Sequence, residues 1–266
     1  MPSTETSARQ LLEFYVESGA NAAVAETPFN RFATVEAPVP RLAPQPRASE
    51  ARIAPAAAPL ASPASPDVAA LAARDAVAGV TTLEELRAAL EKFEGCALKA
   101  TATQLVFADG NPQARVMLVG EAPGRDEDIA GRPFVGRAGQ LLDRMFAAIG
   151  LSRQAPDPGG ALYITNVMPW RPPQNREPQA DEIAMMLPFL ARHVELAAPD
   201  LIVLMGNTPC AAVLARKGIL RLRGQWTEGF GRPVLPMTHP AYLLRNPAAK
   251  REAWADLLEI GARLRG

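Results

Sequence analysis

The residues best suited to chemistry lie where an apolar run passes directly into a loop that carries glycines and carboxylates. Residues 115–119 (RVMLV) are followed at once by 120–124 (GEAPG), and Glu121, Glu127 and Asp128 lie in or just after that loop. Glycine at both ends of the loop allows a ligand to approach the backbone closely, and the proline between them stiffens it. We therefore expect a ligand site here. The alternative is an ordinary connection between a strand and a helix, with solvated acids.

Three other side chains stand at positions where a site could use them. Asn166 ends the apolar run 162–165, and His239 follows the apolar run 233–237. Phe134 lies in a loop, where neither a helical nor a strand period assigns it to a core. The second histidine, His193, lies inside an amphipathic stretch, and we expect it to be a surface or boundary residue.

These residues need strands and helices to bring them together. From residue 115 onward, apolar runs that end in polar or glycine-bearing tips alternate with helical patterns, and an earlier run at 105–107 also reads as a strand. The pattern predicts a three-layer α/β/α fold with a mainly parallel central sheet. Ligands in such sheets bind beyond the carboxyl ends of the strands, so the tips named above should share one rim.

Composition divides the chain into three parts. Residues 1–27 hold a short helical segment, and residues 28–66 form a linker rich in proline and alanine, with nine of the 26 prolines, which we expect to be disordered or extended. Residues 67–266 form the α/β domain. An apolar content of 48% suffices for its core.

Charge and cysteine content limit the possible functions. The formal net charge is zero, so phosphate binding must come from local clusters of cations. The two cysteines, Cys96 and Cys210, match neither a disulfide framework nor the spacing of metal ligands. No signal peptide or membrane-spanning run is evident, and we expect a cytoplasmic monomer without a membrane partner.

Five ordered motifs carry a resemblance to a known family. GEAPG, PFVG, YITNV, RPPQNR and HPAYLLR occur in that order between about residues 95 and 258. This arrangement resembles the uracil-DNA glycosylase superfamily, specifically its family 4. The resemblance implies a monofunctional DNA repair enzyme that flips uracil out of DNA and hydrolyses its N-glycosidic bond, leaving an abasic site.

The resemblance also suggests how the base would be held. His239 would donate a hydrogen bond to a carbonyl oxygen of the departing uracil, which gains negative charge as the bond breaks. Asn166 would pair with the uracil edge and reject cytosine, and Phe134 would stack on the ring. The backbone at Gly120 and Ala122 would lie along the base.

The residue that orients the attacking water remains open. Ala122 stands where the most active members of the superfamily carry an aspartate. Glu121 or Glu127 could take that role, and the sequence does not choose between them. Most of the catalysis would then come from stabilising the leaving group.

Contacts with DNA would come from the two later loops. The candidates for phosphate contacts are Arg171, Arg176, Arg223, Arg245 and Lys250, of which the loop positions favour Arg176 and Arg245. Leu243 and Leu244 either staple the loop to the core or act as a wedge in the base stack.

The chain departs from family 4 at the iron–sulfur cluster. Cys96 matches the second of four cysteine ligands, whereas Phe93, Trp170 and Met186 occupy the other three positions. One thiolate cannot hold a cubane cluster, so we expect no metal or cofactor, and an apolar plug in its place. Two alternatives follow: a weak or inactive nucleic-acid-binding module of the same fold, or a glycosylase that also accepts hypoxanthine or xanthine.

Overall fold

The computed structural model describes residues 66–265. The predicted helical segment 1–27 and nearly all of the predicted linker 28–66 lie outside the described residues.

The described chain alternates strands with helices, as the sequence pattern predicts. Its strands are β1 Asp109–Gly110, β2 Val116–Gly120, β3 Leu162–Asn166, β4 Leu201–Met205, β5 Thr227–Gly229 and β6 Arg232–Met237. Its α-helices are α1 Pro66–Val77, α2 Leu83–Lys92, α3 Arg125–Ala130, α4 Arg137–Ala147, α5 Ala180–Ala197, α6 Asn207–Leu214, α7 Ile219–Leu222, α8 Pro240–Arg245 and α9 Lys250–Arg265. Short 3-10 turns cover Ala97–Ala100, Pro158–Gly160, Pro173–Asn175 and Pro247–Ala249.

The strands form one six-stranded sheet in the order β1-β3-β2-β4-β6-β5. The four central strands are parallel, and the short edge strands β1 and β5 are antiparallel to their neighbours. The predicted mainly parallel sheet is therefore confirmed. In its register Gly120 pairs with Asn166, and Met205 pairs with Met237, so the carboxyl ends of all four central strands meet at one rim.

The prediction of a strand at 105–107 is wrong. Its backbone is held by isolated hydrogen bonds: the Val106 N–H donates to the carbonyl of Pro169 (2.9 Å), and the Thr165 hydroxyl donates to the carbonyl of Phe107 (2.7 Å). These backbone groups therefore do not pair with a neighbouring strand. The first strand begins two residues later, at Asp109.

Helices cover both faces of the sheet because the central strands are apolar on both sides. In β2, Val116 and Leu118 face one core and Met117 and Val119 face the other. The first core is closed mainly by α4 and α9, and the second by α1, α2, α5 and α6. This is the predicted three-layer α/β/α arrangement.

His193 is not the surface or boundary residue that its helical context suggested. It is 4% exposed on the sheet-facing side of α5, where its Nε2 lies 2.8 Å from the hydroxyl of Tyr163. Its ring stacks on Phe107 at a centroid distance of 4.5 Å. Burial lowers the pKa of His193 to about 3, so the ring is neutral.

The four residues at the positions of the family's iron–sulfur ligands lie together in one hydrophobic core. Phe93, Cys96, Trp170 and Met186 are all buried, and all belong to the cluster between the sheet and α2 and α5. The Phe93 ring makes an edge contact with Phe189 at a centroid distance of 5.2 Å. These four residues therefore contribute to the stability of the fold through burial of their side chains.

Among the helices within 66–265, none combines the length and the apolar character that crossing a bilayer requires.

Replacing Trp170 with alanine tests how much this buried cluster contributes to stability. We expect Trp170→Ala to lower the free energy of unfolding by about 3–5 kcal/mol, because a large fully buried ring leaves a cavity. Trp254 is 43% exposed on α9 and provides the matched control, and its replacement by alanine should cost about 1 kcal/mol or less. Urea unfolding followed by circular dichroism measures both, and equal losses would contradict a stabilising role for the cluster.

Candidate active site

The carboxyl ends of the central strands border a cleft of about 720 Å³. The site residues predicted from the sequence that line it are Glu121, Ala122, Glu127, Phe134, Asn166, Arg176, His239 and Arg245. The cleft thus brings residues from distant parts of the chain to one place, as expected when parallel strands end at a common rim.

Gly120 is the point where Phe134 and Asn166 converge. A Cβ atom added to Gly120 would lie 2.2 Å from Oδ1 of Asn166 and 2.6 Å from Cε2 of Phe134. Real Cβ atoms do not approach other atoms that closely, so any larger residue here would displace both groups. Asn166 reaches this point because it is the register partner of Gly120 across β2 and β3.

Phe134 is held in place by its backbone. It adopts a φ of 54°, in the left-handed region that non-glycine residues rarely use. Its carbonyl lies so close to α4 that a Cβ at Gly139 would be 1.7 Å from it. Arg153 donates to the carbonyls of Pro133 (2.9 Å) and Phe134 (3.1 Å) and forms an ion pair with Asp109 (2.9 Å). Sequence reasoning missed Arg153, since no motif marks it.

His239 is positioned by the start of α8. It is the N-cap residue, and its Nδ1 accepts a hydrogen bond from the Ala241 N–H at 3.1 Å. In a neutral ring the proton is therefore on Nε2, which leaves that nitrogen as a donor. Burial, with a smaller contribution from the positive charge of Arg245, lowers the pKa of His239 to about 4. The rings of His239 and Phe134 stack with centroids 5.4 Å apart.

Asn166 offers a free amide at the cleft wall. The residue is only 7% exposed, yet its side chain makes no hydrogen bond to any residue in the range 66–265. The amide atoms are not among the fully buried polar atoms without a partner in 66–265, so they retain access to the cleft. Its donor and acceptor are therefore available to a molecule bound in the cleft.

The two candidate carboxylates differ in what they bind. In Glu127, Oε2 accepts from the Gly124 N–H at 3.0 Å, and Oε1 accepts from the Gly136 N–H at 3.4 Å. Glu127 thus ties together the two ends of the loop that carries Phe134. Glu121 accepts only from the Thr208 hydroxyl, at 2.6 Å, among the described residues, which leaves one carboxylate oxygen for the cleft.

The two arginines predicted to contact DNA differ in whether their guanidinium groups are already paired within the protein. Arg176 binds both oxygens of Glu182, at 2.8 and 2.5 Å, and Glu182 in turn caps α5 at the Gln179 N–H. Its guanidinium is therefore largely used within the protein. Arg245 is exposed and forms no ion pair with another residue of 66–265, so it is available to a phosphate.

Leu243 does not fit the predicted wedge. It is 0% exposed and packs against Leu141 and Ala253, so it staples α8 to the core. Leu244 is only partly buried. Of the two leucines, Leu244 is the one whose side chain is partly accessible at α8.

The chain is similar to known proteins of one superfamily. A family model described as the uracil DNA glycosylase superfamily matches residues 107–258, more than half of the chain. The chain belongs to this superfamily. A type-4 uracil-DNA glycosylase of Archaeoglobus fulgidus is 36% identical over 189 residues, which cover 68% of this chain and 92% of that protein. The type-4 uracil-DNA glycosylase of Thermotoga maritima is 39% identical over 160 residues, which cover 59% of this chain and 80% of that protein.

The iron–sulfur cluster that a family 4 glycosylase implies does not fit this chain. Its sequence contains two cysteines, and Cys210 lies in α6, away from the segment of Cys96. Within 66–265, no group of three or more potential metal ligands occurs. Burial raises the pKa of the Cys96 thiol, which disfavours the thiolate that a metal requires.

Iron analysis provides a direct test of this departure. We expect the purified protein to be colourless and iron-free, and a Cys96→Ser variant to have the same visible spectrum. Elemental analysis measures the iron content, and absorption spectroscopy measures the visible spectrum. A brown preparation with about four irons per chain, lost in Cys96→Ser, would show that the cluster is present.

Titration of the two histidines tests the environment of His239. By NMR, we expect the imidazole pKa values to be about 4 for His239 and about 3 for His193, both below the usual range. Arg245→Gln should raise the pKa of His239, because it removes a positive charge that opposes protonation, and should leave His193 unchanged. A titration of His239 near pH 6.5 would contradict the buried, neutral ring.

Proposed function

We propose that this chain excises uracil from DNA as a monofunctional glycosylase, hydrolysing the N-glycosidic bond and leaving an abasic site. The convergence of Phe134, Asn166 and His239 on one cleft around Gly120 carries the proposal. The names of the type-4 relatives support uracil in DNA as the substrate. The reaction belongs to DNA base excision repair.

Base selection would depend on Asn166. Its amide can donate to the O4 of uracil and accept from N3–H, whereas cytosine presents the opposite groups at these positions. Each buried group left without a partner costs about 1–3 kcal/mol, so the wrong base would be disfavoured. A base in a duplex would have to be turned out of the helix to reach Asn166, and Phe134 would stack on the flipped ring.

Leaving-group stabilisation would come from His239. As the glycosidic bond breaks, negative charge develops on uracil, and the Nε2–H of a neutral imidazole can donate to its O2. The Nδ1 bond to Ala241 keeps that proton on Nε2 before the substrate arrives. The donor is therefore preorganised, and no reorientation is needed in the transition state.

Water would be oriented by Glu121, through the carboxylate oxygen that has no partner among the described residues. Glu127 is less suited, because both of its oxygens accept backbone hydrogen bonds. Ala122 contributes no carboxylate. Leaving-group stabilisation must therefore supply a larger share of the rate than in relatives with an aspartate at this position.

The DNA would be held mainly by local charge. Arg245 is the exposed cation at the cleft, and Leu244 is the candidate for an apolar contact in the base stack. Since the chain has zero formal charge, affinity should be modest and should fall with salt. We expect the protein to act as a monomer.

A single-turnover assay on a uracil-containing oligonucleotide, followed by alkaline cleavage of abasic sites, tests the proposal. We expect Asn166→Ala and His239→Ala each to lower the rate about 100-fold or more, as is typical when one preorganised donor is removed. Gln113→Ala provides a matched control, because this exposed amide precedes β2 at the opposite end of the sheet. Its rate should equal that of the unmodified protein.

Two outcomes would contradict the proposal. An unmodified protein that leaves the uracil strand intact would favour a nucleic-acid-binding module without turnover. Variants at Asn166 and His239 that cut as well as the Gln113 control would show that these residues do not perform the reaction. Parallel substrates with hypoxanthine or xanthine measure the range of accepted bases.

A further inference from the structure

Glu121 has a buried partner that no motif of the sequence indicates. The Thr208 hydroxyl, in the first turn of α6, donates to Oε2 of Glu121 at 2.6 Å. Thr208 is 1% exposed, whereas Glu121 is half-buried and lines the cleft. The bond therefore joins the tip of β2 to the helix that follows β4, and its donor is shielded from solvent.

The direction of this hydrogen bond determines what Glu121 can do. A hydroxyl has one proton, and a carboxylate accepts only, so Thr208 engages Oε2 and leaves Oε1 without a partner among the residues of 66–265. Hydrogen bonds to an ionised acceptor are shorter and stronger than neutral ones. The bond thus limits rotation of the carboxylate and presents one defined oxygen to the cleft.

The surrounding packing keeps Thr208 in this geometry. Gly206, which precedes α6, has a φ of 104°, and its N–H donates to the carbonyl of Met237 in the neighbouring strand. The two residues after Thr208, Pro209 and Cys210, are buried. The backbone that carries Thr208 is therefore held by contacts that do not involve Glu121.

We propose that Thr208 is a positioning residue that holds the Glu121 carboxylate so that its free oxygen orients the attacking water. This role rests on the proposed glycosylase function and on Glu121 as the group that contacts the water. Correct alignment of a reacting group contributes to the rate without contributing to substrate binding. Thr208 should therefore affect kcat and leave KM nearly unchanged.

The test compares Thr208→Val with Thr208→Ser in the full-length chain. Valine has nearly the same shape as threonine but no donor, and we expect kcat for uracil excision to fall about 10-fold, the effect of losing a bond to a charged group. Serine keeps the hydroxyl and should restore kcat to within about 3-fold of the unmodified protein. The melting temperature of both variants shows whether the fold is intact.

A double-mutant cycle separates positioning of Glu121 from any independent effect. In a Glu121→Ala background there is no carboxylate to orient, so adding Thr208→Val should change the rate less than about 2-fold. A purely structural threonine would reduce the rate equally in both backgrounds, and serine would not rescue a loss of packing.

The outcomes distinguish this inference from the proposed function. If the unmodified protein cleaves uracil DNA and Thr208→Val has the same kcat, the positioning role is wrong and the glycosylase function stands. The same holds if Thr208→Val lowers the rate equally with and without Glu121. If the unmodified protein does not cleave uracil DNA, both proposals fail together.

Discussion

The absence of a side chain at the end of β2 is the steric condition on which the site depends. Asn166 and Phe134 occupy the space that a Cβ at Gly120 would take. The parallel register between β2 and β3 fixes the position of Asn166, and the loop that leaves β2 returns Phe134 to the same point. His239 completes the group by stacking on Phe134 from the tip of β6. Three distant segments are thus brought together by backbone proximity.

Charged residues around the cleft mostly hold loops in place. Glu127 binds two backbone N–H groups, Arg153 binds two backbone carbonyls, and Glu182 binds Arg176. In each case a charged group meets backbone or opposite charge, which offsets the cost of removing it from water. Glu121 and Arg245 are left with groups that face the cleft. A site can therefore be rigid and still offer a few free polar groups.

The sequence predicted the parts of the structure that depend on local pattern. Apolar runs that end in polar or glycine-bearing tips located the central strands and their common rim, and most of the predicted site residues line one cleft. Patterns could not show which side of a helix meets the sheet, so His193 was misjudged and Leu243 remained ambiguous. The run at 105–107 has strand-like residues, but its backbone groups bond elsewhere. Arg153 and Thr208 act through contacts between distant segments, which a single sequence does not reveal.

The packing around Cys96 has a consequence for how the protein matures. Aromatic and thioether side chains fill the region in the folded protein, and the two cysteines of the chain are fewer than the four thiolates of a cubane cluster. We therefore expect the chain to reach its native state without delivery of iron or sulfide by assembly factors. On that expectation, iron starvation, or oxidants that dismantle such clusters, should leave this protein folded.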